Sequence, residues 1–140
     1  MFDNIEYDIL GRLIFQFEPI SKTRYEYKYL ANGRIVLITN EKNKTNFKTI
    51  KHQKLINDVY KDYEIEEYGE KYNIKKRYSD NGEEIFFEQT NLTTGKIHTK
   101  NTLWKNNTPR LWSTEYDGNK SIGFYIEKNK LTGLTKNIEI

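Results

Sequence analysis

Few residues in this chain are of the types that do chemistry, and their spacing limits what they can do. There are two histidines, His52 and His98, and no cysteine. A zinc site needs further N or S ligands at short spacing, as in an HExxH-like pair. Two histidines 46 residues apart offer neither, so no metal ligand is expected, and thiolate or disulfide chemistry is excluded. His98, in the polar run Ile97-His98-Thr99, reads as an exposed strand residue. Glu26-Tyr27-Lys28, with Asp8 upstream, has the form of the acidic-x-Lys triplet of some metal-dependent nucleases. There, two carboxylates hold Mg²⁺ and a lysine positions the attacking water. With 31% of the residues charged, such triplets arise from composition alone, and this one is read as structural. The pairs Glu66-Glu67 and Glu83-Glu84 point to opposite faces of a strand and form no glycosidase-like dyad. Gly11, Gly33 and Gly82 lead from turns into strands, not into helix N-termini that would cradle phosphate. The chain is therefore read as non-enzymatic, with no catalytic residue and no cofactor.

The remaining candidates are surfaces. Lys42, Lys44, Lys48, Lys51 and Lys54 are followed by an acidic block of Asp58, Asp62, Glu64, Glu66, Glu67 and Glu70. The bland reading is two solvated faces that partly neutralise each other. The sharper one is an acidic surface that meets a basic protein partner by charge complementarity. Trp104 and Trp112 flank a turn at 106–109 and should lie close across a hairpin, either as core or as an exposed hot spot. Basic and aromatic residues interleave in Arg24-Tyr25-Glu26-Tyr27-Lys28-Tyr29 and again around Lys100, Lys105 and Arg110. Sheets of that make-up stack single-stranded bases. A net charge of +3 permits a nucleic-acid role without arguing for it.

The elements that must position these residues are strands. With 16 Ile, 11 Tyr and 7 Phe, the chain is too rich in large and β-branched residues for disorder. Ala31 is the only alanine, so helix propensity is poor and strand propensity high. Turn signals recur near 10–11, 20–21, 32–33 and 43–44, and again near 81–82, 94–95, 106–107, 118–119 and 129–130. A beat of roughly 8–12 residues marks an all-β meander, sandwich or barrel. Between turns, apolar residues alternate with period two, as in Leu13, Phe15, Phe17 and in Tyr25, Tyr27, Tyr29. Ile35-Val36-Leu37-Ile38 and Ile85-Phe86-Phe87 are apolar on both faces and should be central or covered. The beat breaks over residues 45–69, where Phe47, Ile50, Leu55, Val59 and Tyr63 could line a short helix or belong to a long hairpin. Both remain open. No apolar run is long enough to span a membrane, and no secretory leader is seen, so a cytoplasmic protein with no membrane partner is expected.

Tyr7-Asp8, Gly11-Arg12-Leu13, Tyr25-Glu26-Tyr27 and Gly33-Arg34-Ile35 resemble the YD repeat of Rhs-type bacterial proteins. Tyr78-Ser79-Asp80-Asn81-Gly82 is a looser copy, and the segment 78–133 is similar to MORN-like repeats of antitoxin-type proteins. The resemblance departs from the pattern at Lys28, at Glu83 where Arg should stand, and over 45–69. It implies β-meanders, no catalytic residues, and a function in enclosing or neutralising a bacterial toxin. The expectation is thus a single all-β domain over 1–140, an antiparallel meander of about nine to eleven strands, curled or two-layered. Its leading function is an immunity or antitoxin-type module that binds a protein. The alternatives are a nucleic-acid-binding protein or a phage- or plasmid-type inhibitor of a nucleic-acid enzyme, and a structural repeat of a larger Rhs-like shell.

Overall fold

The computed structural model describes residues 2–117, 120–127 and 130–137, with side chains for 2–117. The described chain forms strands β1 (Asp3–Tyr7), β2 (Leu13–Glu18), β3 (Thr23–Leu30), β4 (Gly33–Asn40), β5 (Lys48–Ile56) and β6 (Val59–Tyr68). It continues through β7 (Tyr72–Tyr78), β8 (Glu84–Asn91), β9 (Ile97–Lys105), β10 (Thr108–Tyr116), β11 (Lys120–Glu127) and β12 (Lys130–Asn137). They make one antiparallel sheet in strict chain order, β1 to β12. The expected all-β meander is what forms. Among the described residues there is no helix, and none long and apolar enough to cross a membrane.

The break at 45–69 is settled as a hairpin. Residues 41–47 are a loop built on two successive Asx turns. Asn40 Oδ1 accepts from the amides of Lys42 and Asn43, and Asn43 Oδ1 accepts from those of Thr45 and Asn46. Then β5 and β6 are joined by Asn57 and Asp58, both at positive φ (51° and 62°), the two-residue connection whose twist matches paired strands. The mediocre helix formers Thr49, Ile50, Ile56 and Val59 are here strand formers. This hairpin supplies two of the twelve strands.

The turns explain the repeated motif. In Tyr7-Asp8-Ile9-Leu10-Gly11-Arg12, the Asp8 amide donates to the Arg12 carbonyl (2.8 Å) and the Gly11 amide to the Asp8 carbonyl (2.9 Å). Gly11 sits at φ 81°. The Asp8 carboxylate then takes the amides of Leu10 and Arg12 and the Arg12 guanidinium (2.7 Å). In Tyr78-Ser79-Asp80-Asn81-Gly82-Glu83 the backbone does the same, Ser79 to Glu83 (2.8 Å) and Gly82 to Ser79 (2.9 Å), with Gly82 at φ 85°. Here Ser79 and Glu83 replace Asp8 and Arg12, with the Ser79 hydroxyl donating to Glu83. The motif is a turn with a side-chain clasp, and the polarity of the clasp is exchangeable. Gly33 is different. Neither it nor Asn32 has positive φ, although tight Asn-Gly hairpin turns commonly require it. A β-carbon at position 33 would instead overlap the Gln53 carbonyl of β5, so glycine is there for close approach.

The sheet is one layer. Strands touch their neighbours in sequence, and no second layer packs on either face among the described residues. Val36 is the one buried apolar side chain among them (4% exposed), and Thr23 the one buried polar side chain. The chain exposes 9801 Å², where a compact protein of 16.8 kDa would expose about 7,700 Å². Cross-strand partners share a face, so the register divides the side chains into two sets. One, the tyrosine face, carries Tyr25, Tyr27 and Tyr29 of β3, Val36 and Ile38 of β4, and continues through Ile65, Ile74 and Phe87 to Trp104 and Trp112. The other, the histidine face, carries Leu37, His52, Glu64, Glu66, Lys75 and Arg77.

Candidate functional site

The tyrosine face is built from rings held by cations. The Tyr29 hydroxyl donates to the Leu13 carbonyl (2.7 Å), and Gln16 donates to the Tyr27 hydroxyl (3.0 Å). The Arg12 guanidinium lies 4.4 Å from the Tyr29 ring centre, and Arg34 lies 4.0 Å from that of Tyr60 and 5.3 Å from that of Tyr27. Arg34 is held in place by Gln53 (2.6 Å), which donates in turn to Asp62 (2.8 Å). These π faces are already occupied by guanidinium groups. Burial holds the Tyr27 hydroxyl above its ordinary range, so it stays protonated at neutral pH.

Further along this face lie Trp104 and Trp112. Trp104 pairs with Pro109 and Trp112 with Thr102, so the two indoles are diagonal neighbours on one face. Both are half-buried. The Trp104 Nε1 donates to the Glu84 carbonyl (2.7 Å), and Lys100 Nζ lies 5.8 Å from the Trp112 ring centre. A cleft of about 560 Å³ borders these strands, and its leucines, Leu103 paired with Leu111, stand on the opposite face from the indoles. Leu103 is 63% exposed and Leu111 40%, which makes this an apolar recess open to solvent.

His98, expected as a merely exposed residue, is half-buried and stacked on Tyr116, ring centres 4.0 Å apart and planes 4° from parallel. Burial lowers its pKa from the ordinary 6.5, and Lys100 lowers it further.

The acidic block is dispersed. Asp58 is a turn residue whose positive φ closes β5–β6. Glu70 lies in the β6–β7 connection, its amide bound to the Lys44 carbonyl. Asp62 and Glu67 are on the tyrosine face, where Asp62 accepts from Gln53 and Glu67 from Asn46 (3.2 Å) with Lys76 3.4 Å away. Glu64 and Glu66 are on the histidine face. The alternation of side chains along β6 splits what reads as one run in sequence, and no single acidic surface results.

Glu64 and Glu66 instead meet His52. Glu64 is paired directly with His52, and Glu66 with Ile50 one step along the same face. His52 Nε2 is 2.8 Å from Glu66 Oε2 and 3.8 Å from Glu64 Oε2. Arg77 Nε reaches the other Glu64 oxygen (3.0 Å), and the Tyr68 hydroxyl donates to the other Glu66 oxygen (3.0 Å). The His52 hydrogen bond, and then that of Tyr68, holds the Glu66 carboxyl below its ordinary pKa against a partly opposing burial effect. Desolvation, and then the Glu66 carboxylate, raise the Tyr68 hydroxyl. Reading the chain for short ligand spacings misses this cluster, because its members come from two strands. The signal that does exist is Glu64-x-Glu66 opposite His52 across the Asn57-Asp58 turn. The Glu26-Lys28 triplet does not assemble: Asp8 is committed to Arg12 in its own turn.

Compared with known protein families, with curated proteins and with solved structures, the chain matches none. The site must be read from its own geometry. It offers one wide apolar recess, a tryptophan pair, one polar triad, and faces that no second layer covers.

Proposed function

We propose that this chain is a non-enzymatic protein-binding module, and that the tryptophan pair on the tyrosine face is where its partner seats. The observation that carries this is the single-layer sheet. It leaves roughly 2,000 Å² more surface in water than a compact chain of the same mass would, while one partner's share of a standard interface is about 800 Å². Two half-buried tryptophans side by side on an uncovered sheet face are the make-up of an interface hot spot. The concrete version is an immunity or antitoxin-type protein of the cytoplasm that covers a bacterial toxin. That choice of partner rests on the resemblance of the turns to Rhs-like and MORN-like repeats.

Two observations weigh against the alternatives. A sheet that stacks bases needs free ring faces, and those of Tyr27, Tyr29 and Tyr60 carry Arg12 and Arg34. Joining copies through β1 needs a regular edge there, and β1 is bulged at two places and has Asn4 at φ 52°, which blunts strand addition at that edge. The acidic block is no longer the favoured contact, since four of its six members are engaged within the sheet.

The test is affinity capture from the source cell with the intact chain, followed by calorimetry with the captured partner. Trp112→Ala is expected to weaken that complex at least about tenfold, equivalent to about 1.4 kcal/mol, with the far-ultraviolet spectrum unchanged. A partner bound with equal affinity by the folded Trp104→Ala/Trp112→Ala double variant would refute the tryptophan pair as the contact.

A further inference from the structure

We propose that His52, Glu64 and Glu66 form a binding site for one divalent transition-metal cation, with zinc the best-matched ion. Ligand atoms in a tetrahedral zinc shell with bonds of about 2.0–2.2 Å lie about 3.4 Å apart. The two His52–carboxylate separations, 2.8 and 3.8 Å, bracket that value. All three ligand atoms lie within 4.8 Å of one another. The ladder places them there through an irregularity. Glu64 pairs with His52, yet the next registered pair is Gln53 with Asp62, so Tyr63 is an extra residue in β6. Bulges re-aim side chains in this way.

The surroundings fit a metal better than a plain ion pair. Each glutamate is fixed through its far oxygen, Glu64 by Arg77 and Glu66 by Tyr68, which leaves both Oε2 atoms turned to the imidazole. Ligating carboxylates are commonly oriented by such outer partners. One imidazole with two carboxylates suits zinc and its neighbours, and suits magnesium or calcium poorly, since those prefer oxygen alone. The three side chains are each 22% exposed, so an ion can enter from solvent and keep water on its open positions. Arg77 and Lys75 of β7 and Lys54 of β5 add positive charge on this face, while Ile35 of β4, opposite His52, adds none. That charge sets the expected affinity in the micromolar range, weaker than a cysteine-rich site.

The experiment titrates the metal-free full chain with zinc chloride at about pH 7.5. Calorimetry and histidine NMR provide the readouts. The expected result is one ion per chain, with the His52 ring signals shifting and those of His98 unmoved. Glu64→Gln and His52→Ala should each weaken binding at least about tenfold, and His98→Ala should not. Circular dichroism confirms that each variant is folded, and Glu64→Gln keeps the side chain's shape should His52→Ala loosen the hairpin. No binding at about 1 mM zinc overturns the proposal, as does binding that follows His98 or survives both of the first two substitutions.

Discussion

Gly11 and Gly33 stand in the same Gly-Arg motif, yet alanine should cost very different amounts at the two. At Gly11 nothing lies within 4 Å of where a β-carbon would sit, and the penalty is the left-handed backbone at φ 81° alone. That is about 1–2 kcal/mol. At Gly33 the backbone is ordinary, but the β-carbon would overlap the Gln53 carbonyl oxygen and lie 3.2 Å from Lys54 Cα. Both are main-chain atoms of the adjacent strand and cannot swing aside. β4 and β5 would have to part locally by about 1 Å, which takes N–H···O bonds of about 2.9 Å out of range. Two or three net bonds at roughly 1 kcal/mol each, plus newly exposed apolar surface around Val36, put the cost at about 3 kcal/mol or more. Against a typical total of about 5–15 kcal/mol this is large. Urea denaturation should show it as a midpoint about 1.5 M lower for Gly33→Ala, and about half that for Gly11→Ala. If Gly33→Ala proves the milder of the two, the close approach of β4 to β5 is wrong, and with it the register that sets Ile35 opposite His52.

Further outcomes follow from the same geometry. Glu66 has a folded pKa held below the ordinary 4.5; its contribution is therefore present above about pH 4.5 and is lost as pH falls through the lowered value. Acid denaturation of Glu66→Gln should accordingly show a shallower slope in that window than the parent chain. His98 is shifted the same way from 6.5, so its contribution is present above that pH and is lost as pH falls through the lowered value, and His98→Gln should flatten the stability profile below about pH 6.5. Asp58→Gly should raise stability by roughly 0.5 kcal/mol, read as a modestly higher urea midpoint, because φ 62° favours glycine at that turn position. Trp104→Phe leaves the Glu84 carbonyl without its indole donor and should cost about 1–2 kcal/mol, read by thermal melting.

The meander was legible because it is written locally. Period-two alternation and the turn residues at 10–11, 43–44, 81–82 and 106–107 are one-strand properties, and the sheet follows chain order, so no long crossover had to be guessed. The hairpin of β5 and β6 was harder. Phe47, Ile50, Leu55, Val59 and Tyr63 fit helical spacing by coincidence, while the deciding feature, Asn57-Asp58 at positive φ, is only two residues long. The acidic block misled for a different reason. Asp62, Glu64, Glu66 and Glu67 are neighbours in sequence, but a strand sends them to two faces, and the bulge at Tyr63 changes which face each takes. His52 with Glu64 and Glu66 is a contact across strands, and its register had to be known to one residue before it could be read.

A sheet with one buried apolar side chain among its described residues needs another source of cohesion, and the register shows where it comes from. Across β6, β7 and β8 the histidine face carries Glu66 opposite Lys75 and Lys75 opposite Glu88, with Glu64 opposite Arg77 beside them. On the tyrosine face Glu67 reaches Lys76, and Arg34 bridges the rings of β3 and β6. Opposed charges and cation–ring contacts of this kind contribute about 0.2–1 kcal/mol each. They act within the plane of the sheet, from strand to strand, so the sheet does not depend on a second layer to hold its strands together. The consequence for function is direct. Where an ordinary domain spends one face of each sheet on its core, this chain keeps both among its described residues, and the proposed contact at the tryptophan pair would displace nothing the fold requires.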